Sequence, residues 1–321
     1  PADPDPLLLP PPPRPGPGNA SRTGVHARLS VTGFSALARL LGFLPAPLPA
    51  FLVETVLVRS LMMSWPSRRR VALANLSRIL AHAGRRPDPG ELAALLDRSL
   101  HLYSRFILCM IGLPEEERAA REEVDLDLLP ALQSLRREGR GVVLATPNFG
   151  LVGHALWALR LKGIPLLLPI LNRDFLAHHE AGVFSGVSTV GKSARPSLRS
   201  LREGGVVAAI VDINYLPHRP ATPFFGAPAP LGYAASRLAR TSGAPLLPAY
   251  AVVREGRCRF ESHDPIDPRG RSLEEVNLLL ARSMERAIGA HPEQWLVYND
   301  FWDIEAMDLE YRLARKLARW S

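Results

Sequence analysis

Cysteine and lysine are both scarce in this chain of 321 residues. The two cysteines, Cys109 and Cys258, give neither a disulfide framework nor metal-ligand spacing, so we expect a reducing compartment. Only 3 of the 39 basic residues are lysines, and the arginines are scattered over the whole length. We therefore attribute the net charge of +8 mainly to residue usage, with a modest attraction to anionic surfaces.

The chain also lacks a long hydrophobic run. Its longest uncharged apolar stretch, residues 40–53, is interrupted by Pro45, Pro47 and Pro49, and a helix that crosses a bilayer needs about 20 apolar residues. The stretch predicts a helical hairpin that lies on a surface or is buried. Trp65 and several arginines flank it: Arg39, Arg59 and residues 68–70. A membrane-interface segment and a pair of core helices with solvated ends both fit this pattern.

The two ends of the chain differ from its middle. Residues 1–18 hold nine prolines, which predicts a disordered or polyproline-like leader without the order of a secretory signal. Residues 309–320 predict a short basic amphipathic helix, which either docks on its own domain or lies on an anionic lipid surface. We expect four regions: a leader over 1–28, a helical region over 29–139, an α/β core over 140–305 and the last helix over 306–321.

Hydrophobic periodicity separates the helical region from the core. Apolar residues recur at helical spacing over 69–80, 89–111 and 126–137. From Gly139 onward, short aliphatic runs alternate with segments of helical length, which is typical of a mainly parallel sheet covered by helices on both faces. The predicted strands are 141–145, 164–168, 206–211, 246–253 and 257–262, and the predicted helices are 151–162, 195–203, 229–242 and 272–289.

Polar side chains follow two of the predicted strands. Asn148 comes directly after the first strand, and Asp212 and Asn214 come after the strand over 206–211. Ligands of such sheets bind outside the carboxyl ends of the strands, and helix amides that begin there stabilise negative charge. Strand-end Asn and Asp residues also serve as caps and turns, and Phe224 and Phe225 fit a core role as well as a binding role.

Five segments together resemble a known family. They occur in the family's order and spacing over residues 34–302: SRRRVALANLSRIL, VVLATPNFGLVGHALWALRLKG, LREGGVVAAIVDINY, PFFGAPAPLGYAASRLARTSGAPLLPAY and HPEQWLVYNDFW. They are similar to the bacterial late lipid A acyltransferases, the lauroyl and myristoyl transferases of the lysophospholipid acyltransferase-like superfamily. The resemblance implies an α/β acyltransferase-like fold with an apolar acyl groove and a helical, membrane-facing amino-terminal region.

It also implies a function. The family transfers a fatty acyl group from an acyl carrier protein or coenzyme A thioester to a hydroxyl of a lipid acceptor, and it needs no metal or other cofactor. We accordingly expect a thioester donor, a lipid or small-molecule acceptor, and a cytoplasmic protein held peripherally on the inner face of the cell membrane. A nucleic-acid partner is not expected, because interleaved aromatics, zinc spacing and groove-reading motifs are missing.

The chain departs from the family at the catalytic dyad. The family motif pairs a histidine with an acidic residue five positions later, because an alcohol needs a general base. Here Asn148 stands at the histidine position and Gly153 at the acidic one, and neither accepts a proton near neutral pH. We expect Asn148 to donate its amide to the thioester carbonyl or to the acceptor. His154, one position further, is the first candidate for a replacement base, ahead of His178, His179 and His218.

The expected site therefore has two sets of residues. Asn148, His154 and Asp212 are the candidate catalytic residues. The candidate substrate-binding residues are Phe149, Gly153, Asn172, Arg173, Asn214, Phe225, Gly226 and Arg237.

A second departure concerns the acceptor. Gln294-Trp295 is followed by Asp300 where the family commonly has histidine and arginine, so a strongly phosphorylated acceptor is disfavoured. Two functions then compete: an acyltransferase with non-standard catalytic residues, acting on a hydroxyl or an amine, and a catalytically silent relative that binds acyl chains, carrier protein or lipid.

Overall fold

A computed structural model gives the fold for most of the chain. It describes residues 40–41, 43–45, 48–64, 66–111, 114–137, 139, 141–169, 188–189, 194–212 and 221–303. The predicted leader over 1–28 and the last helix over 306–321 lie outside the described residues, as do Asn172, Arg173, Asn214 and the histidines at 178, 179 and 218.

The amino-terminal region is helical, as expected. It comprises α1 (Leu48–Phe51), a π-helical segment (Leu52–Val58), α2 (Arg59–Ser64), α3 (Pro66–His82), α4 (Pro89–Ile111) and α5 (Pro114–Glu122). The predicted bounds of α4 are confirmed at both ends. Its start is fixed by local chemistry: Asp88 Oδ1 accepts a 2.9 Å hydrogen bond from the amide of Glu91, and Pro89 follows the cap.

The π-helical segment has two apolar faces. Val53 and Val58 are each 1% exposed and face the core, whereas Phe51 and Val56 are 57% and 51% exposed. Both pairs have five-residue spacing, which matches the wider turn of a π-helix. A hydrogen-bonded contact between Glu54 and His101 and an ion pair between Arg59 and Asp97 join this region to α4. The face with Val53 and Val58 is therefore buried against the core, and the face with Phe51 and Val56 is exposed.

The second half alternates strands and helices. The elements are β1 (Val124–Asp125), α6 (Leu129–Arg137), β2 (Val142–Thr146), α7 (Val152–Leu161), β3 (Leu166–Leu168), β4 (Ser188–Thr189), α8 (Arg195–Arg202), β5 (Val206–Ile210), β6 (Thr222–Phe224), β7 (Ala227–Ala229), α9 (Ala234–Ser242), β8 (Leu246–Arg254), β9 (Arg257–Ser262) and α10 (Leu273–Ala290), followed by a 3₁₀ turn (Pro292–Gln294).

The sheet is mixed and mainly parallel, which confirms the predicted fold class. Its seven strands lie in the order β1-β9-β8-β2-β5-β3-β4. The strands β8, β2, β5, β3 and β4 are parallel, and β9 runs antiparallel to β8. Helices cover both faces: Val142 and Leu144 of β2 pack with the amino-terminal helices, and Val143 and Ala145 pack with α9 and α10. The uniformly apolar strands follow from this double coverage.

Two predicted helices begin three or more residues later than expected. The helix expected over 229–242 begins only at Ala234, because Pro228 and Pro230 remove amide donors and the preceding residues form the β6-β7 hairpin instead. The helix expected over 126–137 begins at Leu129, because Val124 and Asp125 pair with β9 as an edge strand. A two-residue strand leaves too short a pattern to recognise in the sequence.

Gly150 is the tightest point of the chain between β2 and α7. Its φ is +55°, and a Cβ placed there would lie 1.8 Å from the carbonyl oxygen of Ala251 on β8. Its amide also donates to the carbonyl of Gln294 at 2.7 Å. Both the backbone conformation and the close approach of β8 therefore require glycine.

Replacing Gly150 with alanine tests this constraint. Gly163 is the matched control, because its φ is +76° but nothing lies within 4 Å of its hypothetical Cβ. We expect Gly163→Ala to lower the free energy of unfolding by about 1 kcal/mol, from the left-handed backbone alone. Gly150→Ala should cost about 4 kcal/mol or more, because backbone atoms must also move apart. If urea unfolding gives the same decrease in the free energy of unfolding for both variants, the close approach of Ala251 does not contribute.

Candidate active site

Two strand ends meet at the carboxyl edge of the sheet. Thr146 and Ile210 are paired at the ends of β2 and β5, so Asn148 and Asp212 leave their strands at equivalent positions. Asp212 Oδ2 accepts a 2.8 Å hydrogen bond from the backbone amide of Asn148, and Asp212 Oδ1 accepts a 2.9 Å bond from Asn148 Nδ2. Asp212 is 5% exposed, whereas Asn148 is half-buried. The Asn148 amide is thus partly exposed to solvent, and the Asp212 carboxylate lies buried beneath it.

A third donor reaches this carboxylate from the carboxy-terminal segment. Trp295 Nε1 donates to Asp212 Oδ2 at 2.9 Å, and the indole is 4% exposed. The backbone next to Trp295 is joined to the same turn, because Leu296 N donates to Asn148 O at 2.8 Å. The Gln294 side chain adds a bond to each of the two backbone groups of Val253. Sequence reasoning missed Trp295 as a site residue, since nothing local to its segment indicates a partner on β5.

Burial dominates the protonation of Asp212. Its pKa is raised from 3.8 to about 6, because desolvation raises it by more than the hydrogen bonds from Asn148 and Trp295 lower it. Because the pKa is higher in the folded than in the unfolded state, protonated Asp212 stabilises the folded protein below about pH 4. This stabilisation is lost as the pH rises through about 6. Keeping the carboxylate charged at neutral pH therefore costs on the order of 3 kcal/mol.

The contact with Asp212 orients the Asn148 amide. Nδ2 faces the carboxylate, because only the nitrogen can donate to it, so Oδ1 is directed away from Asp212. The amide nitrogen carries two N–H groups and gives one of them to Asp212, so donation of the second to a thioester carbonyl or to the acceptor stays a prediction. The orientation adds an acceptor, because Oδ1 also faces away from the carboxylate.

Gly153 and His154 lie in the first turns of α7, which packs against the amino-terminal helices. A Cβ at Gly153 would lie 3.1 Å from Sγ of Cys109 on α4, and Cys109 is fully buried. His154 is 1% exposed on the same helix. The Cys109 thiol therefore leaves little space for a side chain at position 153, and the His154 side chain lies within packed helices.

The β6-β7 hairpin carries Phe225 and Gly226. Both turn residues have positive φ, +47° and +74°, as in the tight turns that suit hairpin twist. Such a conformation is costly for phenylalanine, and here the amide of Phe225 donates to Glu285 on α10 at 2.5 Å. Phe225 is 3% exposed, whereas Gly226 is exposed beside His82. The hairpin is thus fixed at its tip.

An aromatic cluster connects this hairpin with Trp295. Its members are Phe224, Phe225, Trp295, Phe301 and Trp302, with ring centroids 4.7–6.5 Å apart. Arg78 of α3 lies 4.9 Å over the Trp302 ring. The segment that contains Asp300 therefore has a cation beside it, contributed by a helix far away in the sequence. The sequence pattern could not indicate this approach of Arg78.

The side chains of the other described candidates are not members of this aromatic cluster. Phe149 is fully buried and packs edge-on against Tyr250 of β8. Arg237 is exposed on α9. The structure brings together Asn148, Asp212 and, through the aromatic cluster, Phe225; the roles of the remaining candidates stay predictions.

Comparison with known proteins gives two informative similarities. A family described as bacterial lipid A biosynthesis acyltransferase matches residues 31–302. Two phosphatidylinositol mannoside acyltransferases, from two strains of Mycobacterium tuberculosis, are each 25% identical to this chain over 242 residues. These alignments cover 71% of this chain and 75% of each relative.

A solved structure is also similar in part. It is the 1-acyl-sn-glycerophosphate acyltransferase PlsC from Thermotoga maritima, with 14% identity and a TM-score of 0.32, covering 68% of this chain and 97% of the other. The family match spans most of the chain and includes every element of the site. The chain belongs to the bacterial lipid A biosynthesis acyltransferase family.

Proposed function

We propose that this protein transfers a fatty acyl group from an acyl carrier protein or coenzyme A thioester to a hydroxyl or amine of a lipid acceptor. The observation that carries the proposal is the buried Asp212, which fixes the amide of Asn148 at the carboxyl edge of the sheet. A carboxylate that is kept charged at a cost in stability is typical of functional sites. Family membership supports the class of reaction.

The mechanism relies on orientation rather than on a histidine base. The oxygen or nitrogen of the acceptor attacks the thioester carbonyl carbon, the carbon–sulfur bond breaks, and the acceptor's proton ends on the departing thiol. Asn148 Oδ1 accepts a hydrogen bond from the attacking O–H or N–H and so holds it in line. The Asp212 charge behind the amide stabilises the positive charge that develops on the attacking atom. An amine fits best, because it needs no strong base when neutral.

A silent relative is the second candidate, and the contact between Gly153 and Cys109 favours it. That contact closes the position where the family's acidic residue stands. A protein that only binds acyl thioesters or lipid would retain the groove but need neither member of the dyad. Activity measurements on the parent protein distinguish the two candidates directly.

We further propose peripheral attachment to the cytoplasmic face of a membrane, and the apolar surface of the amino-terminal region supports the contact with lipid. Among the described residues, every exposed large hydrophobic side chain lies between positions 40 and 56: Leu40, Phe43, Leu48, Phe51 and Val56. Exposed arginines follow at positions 59, 69 and 70. None of the described helices is both long and apolar enough to cross a bilayer. We infer that this surface contacts lipid and the arginines contact anionic headgroups.

Substitutions at the pair test the catalytic proposal. Asn148→Ala should lower turnover by about 10²–10³, the loss expected for one oriented polar group, with a smaller effect on stability. Asp212→Asn should also lower turnover, because the new amide forces Asn148 to reverse its own. The exchange variant Asn148→Asp/Asp212→Asn restores a complementary pair and should recover activity. An active parent that is unaffected by Asn148→Ala would remove Asn148 from the site.

Restoring the family dyad tests the silent alternative. The variant is Asn148→His/Gly153→Glu/Cys109→Ala, in which the smaller residue 109 makes room for the new side chain. The matched control, Asn148→His/Cys109→Ala, lacks the acid. If the parent is silent and its groove intact, only the first variant should gain acyl transfer or thioester hydrolysis. Absence of acyl-thioester binding in all three proteins would contradict an acyl function of either kind.

Vesicle co-sedimentation tests the membrane contact. The protein should sediment with vesicles that contain anionic lipid, less so at high salt because charges are screened. Phe43→Ser/Phe51→Ser should weaken sedimentation at every salt concentration, and Arg69→Ser/Arg70→Ser mainly at low salt. Arg202→Ser/Arg240→Ser, which changes exposed arginines of α8 and α9, is the control with equal loss of charge. Parent protein that stays in the supernatant at low salt would refute membrane attachment.

A further inference from the structure

Trp295 has no assigned role, although it contacts the polar centre of the proposed site. We propose that Trp295 is a positioning residue for acyl transfer, whose indole N–H holds Asp212 so that the Asn148 amide keeps its oxygen towards the acceptor. This role rests on the proposed function. Trp295 acts through Asp212 and need not touch either substrate.

The indole is well placed for this task because packing fixes it independently of Asp212. Its ring lies 5.8 Å from Phe224, 5.0 Å from Phe301 and 5.9 Å from Trp302, measured between centroids. Its backbone pairs with Phe149 in an antiparallel bridge. The direction of Nε1–H is therefore set before the hydrogen bond forms, so little side-chain entropy is lost when it binds the carboxylate.

The hydrogen-bond pattern gives Trp295 a part in the orientation of Asp212. Oδ2 accepts both the Trp295 indole and the Asn148 backbone amide, and Oδ1 accepts the Asn148 side chain. Two convergent donors on Oδ2 hold the plane of the carboxylate, which leaves Oδ1 facing Asn148 Nδ2. Without the indole, only the two bonds from Asn148 remain, so the carboxylate is held from one side and its plane is fixed less firmly.

The indole N–H of Trp295 also favours the charged state of Asp212. The described groups that act on this carboxyl are neutral N–H donors: the amide and side chain of Asn148, the indole of Trp295 and the backbone amide of Asp212 itself. Each donor that is lost shifts the titration towards the protonated form. Protonated Asp212 is a weaker acceptor and no longer dictates which end of the Asn148 amide faces it.

The test compares three changes in the full-length protein. Trp295→Phe keeps an aromatic ring and removes the donor, and β-(3-benzothienyl)alanine at position 295 removes the donor with almost unchanged shape. Trp302→Phe is the matched control, because the Trp302 indole donates to the carbonyl of Phe224 instead of Asp212. Acyl transfer from a palmitoyl thioester to a long-chain amine or alcohol is measured as a function of pH.

The expected result is a displaced pH profile. In the parent, turnover rises as Asp212 ionises near pH 6. Both changes at position 295 should move this limb upward by about one pH unit and lower kcat with little change in KM for the thioester. Trp302→Phe should leave the limb in place. If an active parent keeps the same limb after both changes at position 295, the positioning role of Trp295 is refuted.

A stability measurement separates this outcome from failure of the proposed function. Urea unfolding is followed from about pH 5 to about pH 8 for the parent and Trp295→Phe, each with and without Asp212→Asn. The decrease in the free energy of unfolding caused by Trp295→Phe should depend on pH only when Asp212 is present. An inactive parent would overturn the proposed function and the role in transfer with it. If that decrease does not depend on pH when Asp212 is present, Trp295 does not hold the carboxylate. This conclusion applies whether or not the protein is active.

Discussion

The contact between Asp212 and Asn148 is the interaction on which the rest of the site depends. A buried carboxylate must be paired or hydrogen-bonded to stay charged, and this one, at the end of β5, accepts from Asn148 at the end of the parallel strand β2 and from Trp295. The close approach at Gly150 brings β8 and residue 294 near enough to complete this arrangement. Aromatic packing around Trp295 then holds the third donor in place.

Much of the fold follows from the sequence because the patterns are long and repeated. The period of 3.6 over α4 and the uniformly apolar strands of the core each have one interpretation once they extend over enough residues. The missed elements are short. The β6-β7 hairpin has three residues in each strand and two prolines, and β1 exists only because β9 offers it an edge. Pairing of this kind is decided by tertiary structure.

The residues of the site likewise divide into those that the sequence predicts and those that it does not. Asn148 and Asp212 could be found because each follows a strand, and parallel strands bring their carboxyl ends to one edge. Trp295, Arg78 and Cys109 could not, because each acts on a residue far away in the chain and none belongs to a local motif. The orientation of Asn148 could not be predicted either, because an amide has a donor and an acceptor end and only the position of Asp212 decides which end faces the carboxylate.

The pairing of the carboxy-terminal segment with the Asn148 turn also determines when the site can exist. Asn148 and Asp212 are 64 residues apart, and Trp295 lies a further 83 residues beyond Asp212. Such distant contacts form late in folding, because a long loop must close before they give any stabilisation. A chain on the ribosome that has been synthesised only as far as α10 contains both strand ends but not the indole that holds them. The polar centre can therefore assemble only after synthesis has passed Trp295.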